Sequence, residues 1–212
     1  MGRPSTARQR LILAARDKIY AHSYEAVSVD ELCDAASVSK SSFYHFFASK
    51  QDLLLAALES QWQRYQENFL KPAFSNHLPL HEQLARFFDL IMEVQQTQKQ
   101  TEGHMRGCPL GNLTLEMSTQ DELVRQCVDR FFREWLTYFE RMLCEAKDQG
   151  LVPANLDTAA TAEALLAYYE GVILLAKGRN DPTLLRTLYA GSLSLMQYQG
   201  DAHQELGSAS LV

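Results

Sequence analysis

Three Ser/Thr-initiated boxes, each ahead of an apolar run at helical spacing, constrain this chain more than any other feature: Ser28-Val29-Asp30-Glu31, Ser49-Lys50-Gln51-Asp52 and Thr119-Gln120-Asp121-Glu122. In a capping box the hydroxyl and the carboxylate satisfy backbone N–H groups that the first helical turn leaves without partners, so a helix starts there. Behind the first box, Val29, Leu32, Cys33 and Ala36 line one face; behind the second, Leu54, Leu58, Trp62, Tyr65 and Phe69 do the same. Leu11, Ile12, Ala15 and Ile19 mark an earlier amphipathic helix over about residues 6 to 22. Ten Gly and six Pro are few breakers for 212 residues, and no useful length alternates with period two. The predicted fold class is therefore all-α, with about nine helices. Those beyond residue 46 run from about 49 to Pro72, then over 80 to 98, 109 to 118, 119 to 149, 157 to 178 and 181 to 198. Gly150 supplies a C-cap, and Asn180-Asp181-Pro182 a cap with Pro at the first turn of the last helix. Residues 201 to 212 are expected to form a disordered tail.

Charge divides the chain. Residues 1 to 50 hold seven Lys/Arg against five Asp/Glu, whereas the remainder holds thirteen against twenty-one, for a net charge of −6. A basic amino-terminal module thus precedes an acidic body. No run approaches the ~18 consecutive apolar residues that span a bilayer, and no apolar signal core follows Arg3, Arg8, Arg10 and Arg16. The expectation is a cytoplasmic protein without membrane partners. Cys33, Cys108, Cys127 and Cys144 lack disulfide-scaffold or zinc spacing, and the six His are scattered, so neither a metal nor a cofactor is expected. Catalysis finds no support: there is no G-x-S-x-G, P-loop, H-E-x-x-H or G-x-G-x-x-G motif. A helical adaptor that binds only protein is the remaining rival, consistent with the acidic body.

Two short helices, from residue 28 to about 36 and from 39 to 46, are joined by a three-residue turn, the form of a helix-turn-helix whose second helix enters the major groove. At about 100° per residue, Phe43, Phe46 and Phe47 cluster on one side of that helix, while Ser41 and His45 project opposite, flanked by Ser42 and Tyr44. Hydroxyls, a phenol and an imidazole between Lys40 and Lys50 suit phosphates and base edges. The same residues also fit a short polar surface helix.

Residues 38 to 50, Val-Ser-Lys-Ser-Ser-Phe-Tyr-His-Phe-Phe-Ala-Ser-Lys, with Ala26-Val27-Ser28-Val29-Asp30-Glu31-Leu32 before them and Leu53-Leu54 after, resemble the DNA-binding signature of the TetR family over about residues 6 to 58. The resemblance implies a DNA-binding domain over residues 1 to 50 and a helical ligand-binding and dimerisation domain over 51 to 200. It further implies that Ser28, Tyr44 and Lys50 meet phosphate, with Ser28 also capping its helix. Ser39, Lys40, Ser41, Ser42 and His45 line the recognition surface, with Ser42 and His45 assigned to base edges. Arg3 either enters a minor groove from a flexible arm or is simply solvated. Family members usually carry Gly where this chain has Ser23, Ser37 and Ser41. Serine at a left-handed turn position costs on the order of 1 kcal/mol.

Aromatic and sulfur-bearing side chains concentrate in the body. Most are core, and their number also suits a pocket for an apolar or aromatic ligand. The resemblance implies that the pocket lies among the fourth to eighth helices, which makes Trp62, Tyr65, Met92, Met117 and Tyr168 its candidate lining. Gly107-Cys108-Pro109-Leu110-Gly111-Asn112-Leu113, with Glu116 beyond, resembles a motif of a TetR branch that includes electrophile-responsive repressors. Before Pro109, Cys108 belongs at an N-cap, where free N–H groups favour a thiolate. It is either a signal-reactive thiol in the ligand-binding set or a small buried capping residue. Small residues including Ala164 and Gly171, with Leu175, face Leu185, Leu188 and Ser192 across the last two helices. These residues fit an internal hairpin core, while the family resemblance implies that two copies meet there as a homodimer on a pseudo-palindromic operator, a repressor released by a small-molecule effector. Activation is the alternative output.

Overall fold

The computed structural model describes residues 6–75 and 78–200, and among these every regular element is helical. The order is α1 (Thr6–Ala21), α2 (Val29–Ala36), α3 (Lys40–Phe46), α4 (Lys50–Tyr65), a π-helical turn (Gln66–Leu70), α5 (Lys71–Ala73), α6 (Leu80–Glu102), α7 (Pro109–Met117), α8 (Glu122–Asp148), α9 (Thr158–Arg179), α10 (Leu184–Thr187) and α11 (Tyr189–Leu195). Arg3 and residues 201 to 212 lie outside the described residues. The nine expected helices are present, with α4 to α5 forming one continuous stretch and the ninth divided into α10 and α11.

Local chemistry explains most of the boundaries. Ser28 closes the expected box: its hydroxyl accepts from the Glu31 N–H at 3.2 Å, and its own N–H donates to the Glu31 carboxylate at 2.7 Å. Ser39 and Ser49 cap α3 and α4 by accepting from the N–H groups of Ser42 and Asp52. Pro72 has no N–H to give the carbonyl four residues back, and the π turn stands directly before it.

Four boundaries differ from expectation. The Asp121 carboxylate, not Thr119, caps α8, accepting from Leu123 at 3.0 Å and Val124 at 3.1 Å. α6 continues to Glu102 because Gly103, at φ +83°, supplies the left-handed C-cap. Asp181 accepts from Thr183 rather than opening a helix at Pro182. Leu188, at φ −93° and ψ 0°, breaks the last helix.

The chain forms two compact units. The first contains the described residues up to Asn68 together with Cys108–Phe131; the second contains Phe69–Gly107 and the described residues from Phe132 onward. In the first, α1 packs on α2, α3 and α4 around Leu11, Ile12, Ala15, Leu32, Phe43 and Leu53. In the second, α10 and α11 pack on α6 and α9 beside an aromatic core. There Phe87 is fully buried, with ring centroids of Phe74, Phe88, Trp135, Phe139 and Tyr169 between 5.0 and 5.9 Å away. Each aromatic pair at such spacing adds roughly 0.5–1.5 kcal/mol beyond area burial. Helix α9 has the length and mean hydropathy, 1.3, to cross a bilayer. Its buried Leu165, Leu166, Tyr169, Val172 and Ile173 are those of a core helix.

Candidate nucleic-acid interface

Side-chain direction on α3 separates core from surface. Phe43 is fully buried and Phe47, its C-cap, is 4% exposed, while Phe46 packs partly into the same core. Ser39, Lys40, Ser41, Tyr44 and His45 are exposed, and Ser42 is half-buried. The rings are braced rather than free: Tyr44 meets Phe43 edge-on at 5.1 Å, and His45 meets Phe46 at 4.9 Å. Lys40 pairs with Asp30 of α2 at 2.8 Å, and the Ser39 hydroxyl donates to the Ser42 oxygen at 3.0 Å. The outcome is a short ridge carrying three hydroxyls, a phenol, an imidazole and an ammonium.

The turn between α2 and α3 keeps the geometry that glycine would supply. Ser37 sits at φ 51°, ψ 52°, the left-handed region, as the C-cap of α2. Its N–H and that of Val38 donate to the carbonyls of Asp34 and Cys33, at 3.0 and 2.9 Å. Arg10 of α1 donates to the Ser37 carbonyl at 3.2 Å, bracing the turn from a residue outside the sequence-derived set. Burial pushes the Cys33 thiol of α2 upward, and Asp30 and Asp34 add to this.

Lys50 also has partners within the protein. Its ammonium donates to the carbonyls of Tyr24 at 2.9 Å and Val27 at 3.0 Å, and lies 4.0 Å from the centre of the Tyr24 ring. Here it fastens the α1–α2 loop, using two of its three protons on protein acceptors. The Glu116 carboxylate, on α7, accepts from the N–H groups of the same loop, Tyr24 at 3.1 Å and Glu25 at 3.0 Å. Sequence reasoning noted Glu116 only as part of a motif. Its position in the last turn of a helix, where a carboxylate opposes the dipole, is the signal that it serves a partner elsewhere.

The remaining candidates fall into both units. In the first, Trp62 stacks on Tyr65 at 5.9 Å and on Phe131 at 5.2 Å, all three buried, and Met117 is buried too. Cys108 is the N-cap of α7 as expected, its sulfur accepting from the Gly111 N–H at 3.4 Å, and it is buried. Met92 and Tyr168 belong to the second unit. Met92 is buried there, and the Tyr168 hydroxyl donates to the Leu188 carbonyl at 2.6 Å, so Tyr168 joins α9 to the helix break. An open groove of about 440 Å³ on the first unit, lined by Leu55, Glu59, Leu123, Gln126, Cys127 and Arg130, was not foreseen. On α9, Gly171 and Leu175 are exposed beside Leu174 and Ala164 is half-buried, as is Leu188 between α10 and α11. Leu185 and Ser192, at 0% and 1% exposed, are internal packing, the hairpin-core alternative, rather than a surface for a second copy. Among the described residues no group of three or more His, Cys, Asp or Glu is arranged to hold a metal ion.

Similarity to known proteins extends over most of the chain. The model for bacterial regulatory proteins of the tetR family matches residues 11–57, and that for a tetracyclin repressor-like C-terminal domain matches residues 81–191. The chain is 34% identical over 173 residues to the transcriptional regulator AcuR of Cereibacter sphaeroides, covering 82% of this chain and 77% of that protein. It is 26% identical to the HTH-type transcriptional repressor DhaR of a Mycobacterium species, covering 80% of this chain and 82% of that one. A solved structure, regulatory protein TetR from Rhodobacter sphaeroides, matches with a TM-score of 0.75 at 32% identity, over 89% of this chain and 97% of that one.

Proposed function

Because the chain belongs to the TetR family of transcriptional regulators, we propose that it is a cytoplasmic repressor that binds a pseudo-palindromic operator as a homodimer and leaves it when a small apolar or aromatic effector binds. The observation that carries this reading is the outward set on α3, exposed Ser41, Tyr44 and His45 over buried Phe43 and Phe47. In this reading Ser42 and His45 address base edges, Ser28 and Tyr44 address phosphate with Lys50 contributing its remaining proton, and Lys40 and Ser41 line the recognition surface. The positive end of α4, where Lys50 stands, favours a phosphate nearby. Effector binding lowers operator affinity by the difference in its affinity for two arrangements of the DNA-binding helices. Helix α4 is the lever, since it carries Lys50 at one end and Trp62 and Tyr65 at the other.

Binding-site selection from random duplexes tests this directly. The expected product is an inverted repeat whose half-sites lie about 10 base pairs, or a multiple of one turn, apart. Equal affinity for selected and random duplexes at physiological salt would sink the reading. A reporter downstream of the selected site separates repression from activation by the sign of its response.

A second reading concerns Cys108, whose sulfur already accepts a backbone N–H at the start of α7, the arrangement that stabilises a thiolate. In it, alkylation or oxidation at this sulfur releases the operator. Treating wild type and Cys108→Ser with limiting electrophile, and finding equal release, removes this reading without touching the first.

A further inference from the structure

We infer that Glu116 is a positioning residue for the operator-binding helices, acting through the backbone of Tyr24 and Glu25; this rests on the operator-binding reading of the same unit. The loop between α1 and α2 is held from two sides by opposite charges. Both oxygens of the Glu116 carboxylate are engaged, one by the Tyr24 N–H at 3.1 Å and the other by the Glu25 N–H at 3.0 Å. Lys50 engages the carbonyls of Tyr24 and Val27, at 2.9 and 3.0 Å, and covers the Tyr24 ring. Hydrogen bonds with a charged partner are roughly twice as strong as neutral ones, so this pair of ions fixes the loop more firmly than its own turn bond, Val27 N–H to the Tyr24 carbonyl at 3.4 Å.

The loop's place in the chain makes the contact consequential. Ser28, the residue after Val27, is the N-cap of α2, and α2 leads through Ser37 into α3. The carboxylate comes from a helix 91 residues away in sequence. A second tie, from the Gln51 side chain on α4 to the Asp121 carboxylate between α7 and α8, runs parallel to it within the same unit. Orientation of α2 and α3 is thus referred to α7, whose other end is capped by Cys108. The Glu25 bond is exposed and the Tyr24 bond part-buried, so water takes the carboxylate's place at Glu25 when it is removed. Loss of Glu116 therefore frees the loop's position without unfolding the unit.

The test uses the full chain, with Glu116→Ala and Glu116→Gln, on the palindrome selected by wild type and on a duplex holding one half-site. Two half-sites demand a fixed placement of both reading helices, whereas one does not. Glu116→Ala is expected to weaken palindrome binding by about tenfold, with half-site binding changed less than about twofold. Glu116→Gln, which keeps one acceptor oxygen, falls between, and amide exchange at Tyr24 and Glu25 rises in both variants while the thermal midpoint holds. Unchanged palindrome affinity in Glu116→Ala overturns the inference. So does equal loss on both duplexes, which would make Glu116 a folding element of the unit. If wild type selects no operator at all, it is the functional reading that fails.

Discussion

Among the described residues of the first unit, Ser37 at φ 51° is the non-glycine residue in the left-handed region. An L-residue in the left-handed region loses roughly 1–2 kcal/mol to the approach of Cβ and carbonyl oxygen, and Ser37 accepts that cost with its carbonyl held by Arg10. Ser37→Gly is therefore expected to stabilise the protein by about 1 kcal/mol, discounted for glycine's freer unfolded chain. A rise of a few degrees in the thermal midpoint would register this; a fall would mean that the serine hydroxyl has a role in the turn. Ser28 presents the opposite case, a residue at its preferred place. Ser28→Ala should cost about 1 kcal/mol. The Ser28 backbone N–H and then its hydroxyl hold the Glu31 carboxyl below its ordinary range. Since the folded value lies below the unfolded one, the contribution is present above the ordinary carboxylate range and lost as pH falls through the folded value. The gap in stability between wild type and Ser28→Ala should accordingly narrow in acid, as read by denaturant melts at neutral and acidic pH.

Between α6 and α7 the chain turns through two left-handed glycines, Gly103 at φ 83° and Gly107 at φ 78°. Side chains from distant helical turns hold this connection. Gln95 accepts from the Gly107 N–H at 3.0 Å and donates to the Gly107 carbonyl at 3.1 Å, and it is buried. Asn180, the left-handed C-cap of α9, accepts from the Met105 N–H and donates to the Gly103 carbonyl, at 3.0 and 2.9 Å. Gln95→Leu keeps the volume and removes both bonds to a buried peptide, an expected loss of about 2 kcal/mol. Faster amide exchange at Gly107, with exchange in α9 unchanged, is the accompanying signature. Protection at Gly107 equal to wild type would show that the glutamine is dispensable. Tyr168 does similar work further along, lying over Gly191, where an added Cβ would come within 2.5 Å of the ring carbon bearing the hydroxyl.

For the molecule as a whole, the outstanding demand is α9. Leu174 and Leu175 are 56% and 50% exposed next to Gly171, on a helix whose opposite side is already core. A pair of half-exposed leucines flanking a glycine suits close approach of a second copy across a two-fold axis. The Leu174→Glu, Leu175→Glu double variant is expected to sediment as a monomer and to bind the selected palindrome no better than a half-site. A variant that remained a dimer would move the interface elsewhere. The charge split acts on the same scale: a basic first fifty residues ahead of an acidic remainder favours approach to DNA by the reading helices.

The helices and the outward face of α3 were legible because their causes are local. Ser28 to Glu31, Ser49 to Asp52 and Ser39 to Ser42 are partners three residues apart, and the period of Phe43, Phe46 and Phe47 already separates the inside of α3 from its outside. Partners chosen across the fold were not legible. The spacing around Lys50 gives no sign that its ammonium also ties the carbonyls of Tyr24 and Val27. Glu116 stands in the sequence only as part of a motif, and the two N–H groups it meets lie 92 and 91 positions away. Leu185 and Ser192 fit either a dimer face or an internal hairpin core by their spacing, and only the packing of α10 and α11 on α6 and α9 buries them. Sequence spacing determines what lies within a turn or two of a residue. Which distant donor meets which acceptor, and which apolar side faces solvent on a helix as evenly apolar as α9, depends on how helices pack, and only the tertiary structure decides that.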